Sequence, residues 1–241
     1  MEISLAAEKI FNIGPFPVTN SMLTTWVVTL ILLAFAYFAT RNVKAVPNTL
    51  QNIAEIMIES LEGLVSSIAE NKTKVFLPII ATFFFFILFG NYFGLLPGVG
   101  SIGFHEHGKF VPYLRGMNAD LNTTLGLALV SVAATHYLAV KYLGVKGYLQ
   151  KFFSLNPIFL FVGILELFGE LTKVASLSFR LFGNIFAGEV LLTTATTSIF
   201  AYIVPIPFYF LEFLVAFVQA LIFSMLTLVF MVILTEKHAE H

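Results

Sequence analysis

Between Pro157 and Val190 the chain reads PIFLFVGILELFGELTKVASLSFRLFGNIFAGEV, apolar enough for a bilayer yet carrying Glu166, Glu170, Lys173, Arg180 and Glu189. An arginine at the centre of a bilayer costs about 2.5–3.5 kcal/mol on insertion scales, so such a residue marks a functional position whose partner has to be named. On an α-helix, at about 100° per residue, Glu166, Glu170, Lys173, Arg180 and Asn184 fall within roughly 80° of one another. They form one polar stripe on an otherwise greasy rod. Glu189, nine residues beyond Arg180, points to roughly the opposite side. The rest of the chain has to accommodate a membrane helix with two separate polar faces.

The composition agrees with a membrane setting. The 241 residues are 58% hydrophobic and 11% charged, with a mean hydropathy of +0.90. Soluble domains carry about 25% charged residues. Several apolar runs of about twenty residues therefore predict an all-α membrane protein with multiple spans. The absence of cysteine excludes disulfides and thiolate metal sites. A net charge of −1 gives no reason to expect a nucleic-acid partner. Residues 1–20 lack a basic n-region and contain Gly14, Pro15 and Pro17, so they are expected to be an external segment and not a signal peptide.

The expected order is a span over 21–40, an amphipathic helix over 48–71, spans over 75–96 and 120–140, and a hairpin over 157–234. In 48–71, Glu55, Glu59, Glu62 and Glu70 alternate with Ile53, Ile56, Leu61, Leu64 and Ile68. This segment is too polar to cross; it lies on the membrane surface or a partner, or serves as a plain connector. The external loop 97–118 holds His105, Glu106 and His107. That triplet has no further ligand cluster, so a solvated loop is expected and no metal. Asp120 and Asn122 open the next span, either as a helix cap or as water access to a buried path. No internal repeat is evident, which weighs against an inverted-repeat transporter.

Basic residues set the orientation. With five spans, Arg41, Lys44, Lys72, Lys74, Lys141, Lys146, Lys151 and Lys237 share one side, and only Lys9, Lys109 and Arg115 lie on the other. This predicts a cytoplasmic C-terminus.

The last helix carries Glu212 and, two turns on, Gln219, which share a face. In an antiparallel pair folded near residue 200, facing positions have numbers summing to about 400. Glu189 with Glu212, and Arg180 with Gln219, both obey that register. The two layers lie about 10–14 Å apart along the helices. Two carboxylates in a low-dielectric site do not both ionise easily, which suits a proton relay. Arginine stays charged, so Arg180 can attract a carboxylate and block direct ion passage but cannot relay a proton. The plainer alternative pairs Arg180 with Glu170 or Glu166 inside a bundle. Glu166, Glu170 and Lys173 have a structural or snorkelling role as their alternative.

At SLSFRLFGNIFAGE, Ser176 to Glu189, the sequence resembles the subunit a family of the F-type ATP synthase membrane sector. Supporting segments are Asn91 with GLLP (94–97), ADLNTTLGLAL (119–129) and VQALIFSMLTLVF (218–230). Together they cover about residues 75–235. The resemblance implies that Arg180 is the essential residue facing the carboxylate of a rotating c-ring, with Asn184 and Gln219 as its polar neighbours. It also implies that Glu189 and Glu212 line the half-channel open to the outside, with Asp120 and Asn122 near its mouth. Glu166, Lys173 and Ser176 then belong to the cytoplasmic half-channel, where Glu170 also falls. The family further implies that the last two helices are strongly tilted against the ring. Many members carry histidine at one of the Glu189 and Glu212 positions, whereas this chain has two carboxylates. Many also have proline after the basic residue; here Val174 removes the reason for a helix break.

The expected function is a stator proton channel that couples proton flow through the c-ring to ATP synthesis or hydrolysis, without a cofactor. Its expected partners are the c-ring, subunit b, the rest of the synthase and membrane lipid. Its expected setting is a bacterial plasma membrane. The competing classes are a stand-alone transporter or channel and a purely structural membrane subunit.

Overall fold

The computed structural model describes residues 6–106, 109–152, 157–196 and 205–236. His107 and the turn expected near residue 200 lie outside them. Six α-helices dominate the described residues: α1 (Asn20–Thr40), α2 (Thr49–Ala69), α3 (Thr73–Gly94), α4 (Leu121–Phe152), α5 (Pro157–Thr196) and α6 (Pro205–Thr235). Five helical stretches are long and apolar enough to cross a membrane, with α2 and α3 counted as one. The chain is an all-α membrane protein.

The segments expected to be plain external chain contain two antiparallel hairpins. One pairs β1 (Lys9–Ile13) with β2 (Phe16–Thr19), and the other pairs β3 (Gly103–Glu106) with β4 (Lys109–Pro112). Their short alternating runs around Gly14 and beside the Gly-rich 98–103 stretch are hairpin signals that the strong helical pattern overshadows. His105 packs edge-on against Phe110 across the second hairpin. No three-residue metal cluster occurs among the described residues.

Helices α3 to α6 form the bundle, with α3 against α6 and α4 against both α5 and α6. Lipid tails are as apolar as the side chains, so packing and interhelical hydrogen bonds hold such bundles together. The phenylalanine-rich α3 meets α6 through Phe83 with Phe223, Phe84 with Phe217, and Tyr92 stacked on Phe213. Ser131 bonds Thr227 at 2.8 Å, tying α4 to α6, and Thr124 bonds Ser178 at 3.1 Å, tying α4 to α5. Asn91 donates to the Ala216 carbonyl and accepts from Asn118, which fastens the outer end of α3. Helix α2 buries Leu61, Val65 and Ala69 against this bundle and turns Ile53, Ile56, Leu64 and Ile68 outward.

Two breaks in regularity position the functional groups. Helix α4 does not stop near residue 140 but bends at Gly144, whose φ of 74° and ψ of 161° suit only glycine. The bend turns the following residues back along the bundle. Helix α5, in contrast, runs unbroken through Val174 for 40 residues.

Candidate functional site

A cavity of about 420 Å3 opens among the end of α3, the loop that follows it, α5 and α6. Glu8, Asn91, Arg115, Glu189, Tyr209 and Glu212 are among its polar lining residues. That volume holds on the order of ten waters, and its wall offers them partners. Glu212 is 6% exposed, and its carboxylate lies against Gly188 on α5. A β-carbon at residue 188 would overlap that carboxylate, so the glycine sets the close approach of the two helices. Gly188 opposite Glu212 fits the register expected of the hairpin.

Glu189 has a partner that the spacing argument missed. Arg115 Nε donates to its Oε1 at 3.1 Å and its Oε2 at 3.2 Å. The sequence placed Arg115 in the external loop as an orientation signal, yet it is 5% exposed. Its backbone N–H donates to Thr24 Oγ1, and its Nη1 donates to the Ala6 carbonyl. One clue was present: Arg115 stands in the short run LRGMN immediately before a predicted span, with no other charge beside it.

Arg180 occupies the middle of α5, exposed on the outside of the bundle, where Nη2 donates to Ser176 Oγ at 3.2 Å. No carboxylate pairs with it among the described residues. The alternative pairing with Glu170 or Glu166 is therefore not what forms, because Glu170 is engaged elsewhere. Gln219 is buried, and no hydrogen bond joins it to Arg180 among the described residues, so that half of the register brings no direct contact. Asn184 is exposed one turn beyond Arg180, on the same side.

A second polar cluster lies on the other side of Arg180. Lys173 Nζ donates to Glu170 Oε1 at 2.6 Å, and His136 Nε2 lies 3.5 Å from Glu170 Oε2. The other ring nitrogen of His136 bonds the Tyr148 hydroxyl at 2.9 Å. On a straight helix these two residues would be about 18 Å apart; the bend at Gly144 closes the gap. Lys173 also stands over the Phe230 ring, while Glu166, a turn before Glu170, is half-buried. His136 was legible as an ionisable residue inside a predicted span. Tyr148 was not, because nothing in the local pattern announces the bend. Along α5, Arg180 is about 15 Å from Glu170 and about 13 Å from Glu189.

Asp120 is buried, and neither Asp120 nor Asn122 contributes to the cavity lining. Its Oδ1 accepts from the Asn122 backbone at 3.1 Å, capping α4, and its Oδ2 accepts from Ser21 Oγ at 2.7 Å. The Asn122 side chain donates to the same Oδ1 at 3.3 Å.

A sequence model of the family described as ATP synthase A chain matches residues 22–232. The protein named ATP synthase subunit a from Moorella thermoacetica is 30% identical over 95% of this chain and 97% of its own length. That of Syntrophobacter fumaroxidans is 34% identical, over 92% of this chain and 87% of its own. That of Gloeobacter violaceus is 35% identical, over 99% and 93%. On the match across nearly its whole length, the chain belongs to the ATP synthase A chain family.

Proposed function

We propose that protons cross this chain by two separate half-channels that meet at Arg180, where an anion carried by a partner subunit completes the route. As a member of its family the chain is a membrane subunit of an ATP synthase and serves proton translocation. The observation that carries the two-channel reading is the placement of Arg180. Its exposed guanidinium stands between two polar clusters, with no carboxylate of its own chain beside it among the described residues.

The outer route is the cavity with Glu212 and Glu189. The inner route runs past Glu166, Glu170 and Lys173, with His136 and Tyr148 holding Glu170 in place. Ser176 and Asn184 flank Arg180 on the exposed face, and Gln219 is buried on α6. Asp120 and Asn122 serve this design as the anchor of α4 beside the outer route. The anion belongs to the rotating c-ring. A c-ring carboxylate that picks up a proton from the outer route becomes neutral and enters lipid; on reaching Arg180 it gives that proton to the inner route. Moving one charge through a 100 mV potential is worth about 2.3 kcal/mol, which drives the rotation. Arg180 keeps its charge throughout and prevents direct flow between the routes. Subunit b is the further stator partner, the C-terminus faces the cytoplasm, and the membrane is a bacterial plasma membrane.

The test is Arg180→Ala in the whole ATP synthase, in inverted membrane vesicles. ATP-driven pumping is expected to disappear while the complex still assembles. Normal pumping by that variant would overturn the reading. Cysteines placed at Leu177 or Phe179 are expected to cross-link to a small multicopy membrane subunit.

A further inference from the structure

Of the carboxylates that line the outer cavity, the two on the long helices, Glu189 and Glu212, are not equivalent. Glu189 has a fixed countercharge in contact with both of its oxygens. Glu212 is as deeply buried as Arg115, yet no hydrogen bond or cation reaches its carboxylate among the described residues. Gly188 of α5 lies against it, and Asn91, Tyr209, Arg115 and Glu8 share the cavity wall with it.

Arg115 is held on several sides. Thr24 of α1 fixes its backbone, Ala6 takes Nη1, and the guanidinium stands 5.9 Å from the centre of the Phe186 ring. Its Nη2 is buried without a protein partner among the described residues, although Arg115 is part of the cavity wall. A guanidinium does not give up its proton in a protein. A carboxylate bound to it through both oxygens is thereby kept as its counter-ion. A buried carboxylate without a countercharge is costly, whereas the neutral acid is not. Of the pair, the group able to alternate between acid and anion is the one without the arginine.

We propose that Arg115 is the positioning residue of the outer half-channel: it holds Glu189 as an ionised counter-ion and leaves Glu212 as the proton-exchanging carboxyl group. On α5 and α6 the arrangement leaves one fixed ion pair, Arg115 with Glu189, and one carboxyl group that exchanges its proton. This inference rests on the two-channel reading above.

The first test uses the unaltered ATP synthase in its membrane. An apolar carbodiimide adds to a protonated carboxyl group, and the adduct is read by peptide mass spectrometry. Labelling of Glu212 is expected to exceed that of Glu189 at least tenfold. Equal labelling, or more at Glu189, overturns the assignment. The second test is a rescue measured as ATP-driven pumping in vesicles. Arg115→Gln alone is expected to lose at least tenfold, because Glu189 is left without its partner. Arg115→Gln combined with Glu189→Gln is expected to recover at least tenfold over Arg115→Gln. Glu212→Gln is expected to lose at least a hundredfold. A double variant no better than Arg115→Gln, in a complex that still labels at Glu212 and binds its soluble sector, sinks the proposal. Arg180→Ala run beside these separates the two failures: normal pumping there removes the two-channel reading itself, while its loss leaves the Arg115 assignment alone at stake.

Discussion

Lys173 and Glu170, one turn apart on α5, are joined at 2.6 Å, while His136 of α4 faces the other oxygen of the same carboxylate. Glu170 is therefore held from two helices. Hydrogen bonds to charged groups contribute about 1.5–3 kcal/mol, less where the partner is partly exposed as Lys173 is. Lys173→Met is expected to lower the unfolding free energy by about 1–2 kcal/mol. Denaturant unfolding of the detergent-solubilised protein measures this, and no change would show the pair to be ornamental.

Gly144 sits at a backbone conformation that side chains avoid. Gly144→Ala is expected to cost about 1–3 kcal/mol and to swing Tyr148 away from His136. A distance readout between spin labels on α4, one on each side of the bend, is expected to lengthen. An unchanged distance would mean that the bend is imposed by packing and not by the glycine.

Gly188 leaves the room that the Glu212 carboxylate fills. Gly188→Ala is expected to displace that carboxylate and reduce pumping at least tenfold. Shortening the acid relieves the overlap, so Gly188→Ala with Glu212→Asp is expected to pump better than Gly188→Ala alone. If the second substitution makes matters worse, the contact does not govern the site.

Asp120 separates capping from proton carriage. Asparagine caps a helix about as well as aspartate, and alanine costs about 0.5–2 kcal/mol. Asp120→Asn is expected to retain pumping within about threefold, because the cap to Asn122 survives, while Asp120→Ala loses stability. A dead but well-folded Asp120→Asn would place the residue in the proton path.

The buried pair Asn91 and Asn118 leads to the Ala216 carbonyl. Asn91→Leu removes a donor from a buried acceptor, and such an orphan costs about 1–3 kcal/mol. Thermal unfolding is expected to shift down accordingly. An unshifted transition would show that water takes over the carbonyl.

The membrane class and the hairpin register were legible because they rest on hydropathy and on helical geometry, which act locally. The motif around Arg180 carried the family. Arg115 escaped because its role depends on a loop folding back 74 positions before Glu189, a contact with no periodic trace. Tyr148 escaped for a related reason: one glycine conformation, not a pattern, brings it to His136. Arg180 and Gln219 obey the facing register, yet sharing a register fixes only height along a helix pair. Rotation about each axis is settled by packing, which buries Gln219 and turns Arg180 outward.

The outward arginine bears on how the subunit is made. A freshly inserted copy presents a permanent cation on a face where Val162 and Leu165 are otherwise suited to lipid. The penalty of about 2.5–3.5 kcal/mol persists for as long as that cation faces lipid. Covered or bare, one exposed side chain therefore sets a difference in insertion free energy that the rest of the face does not.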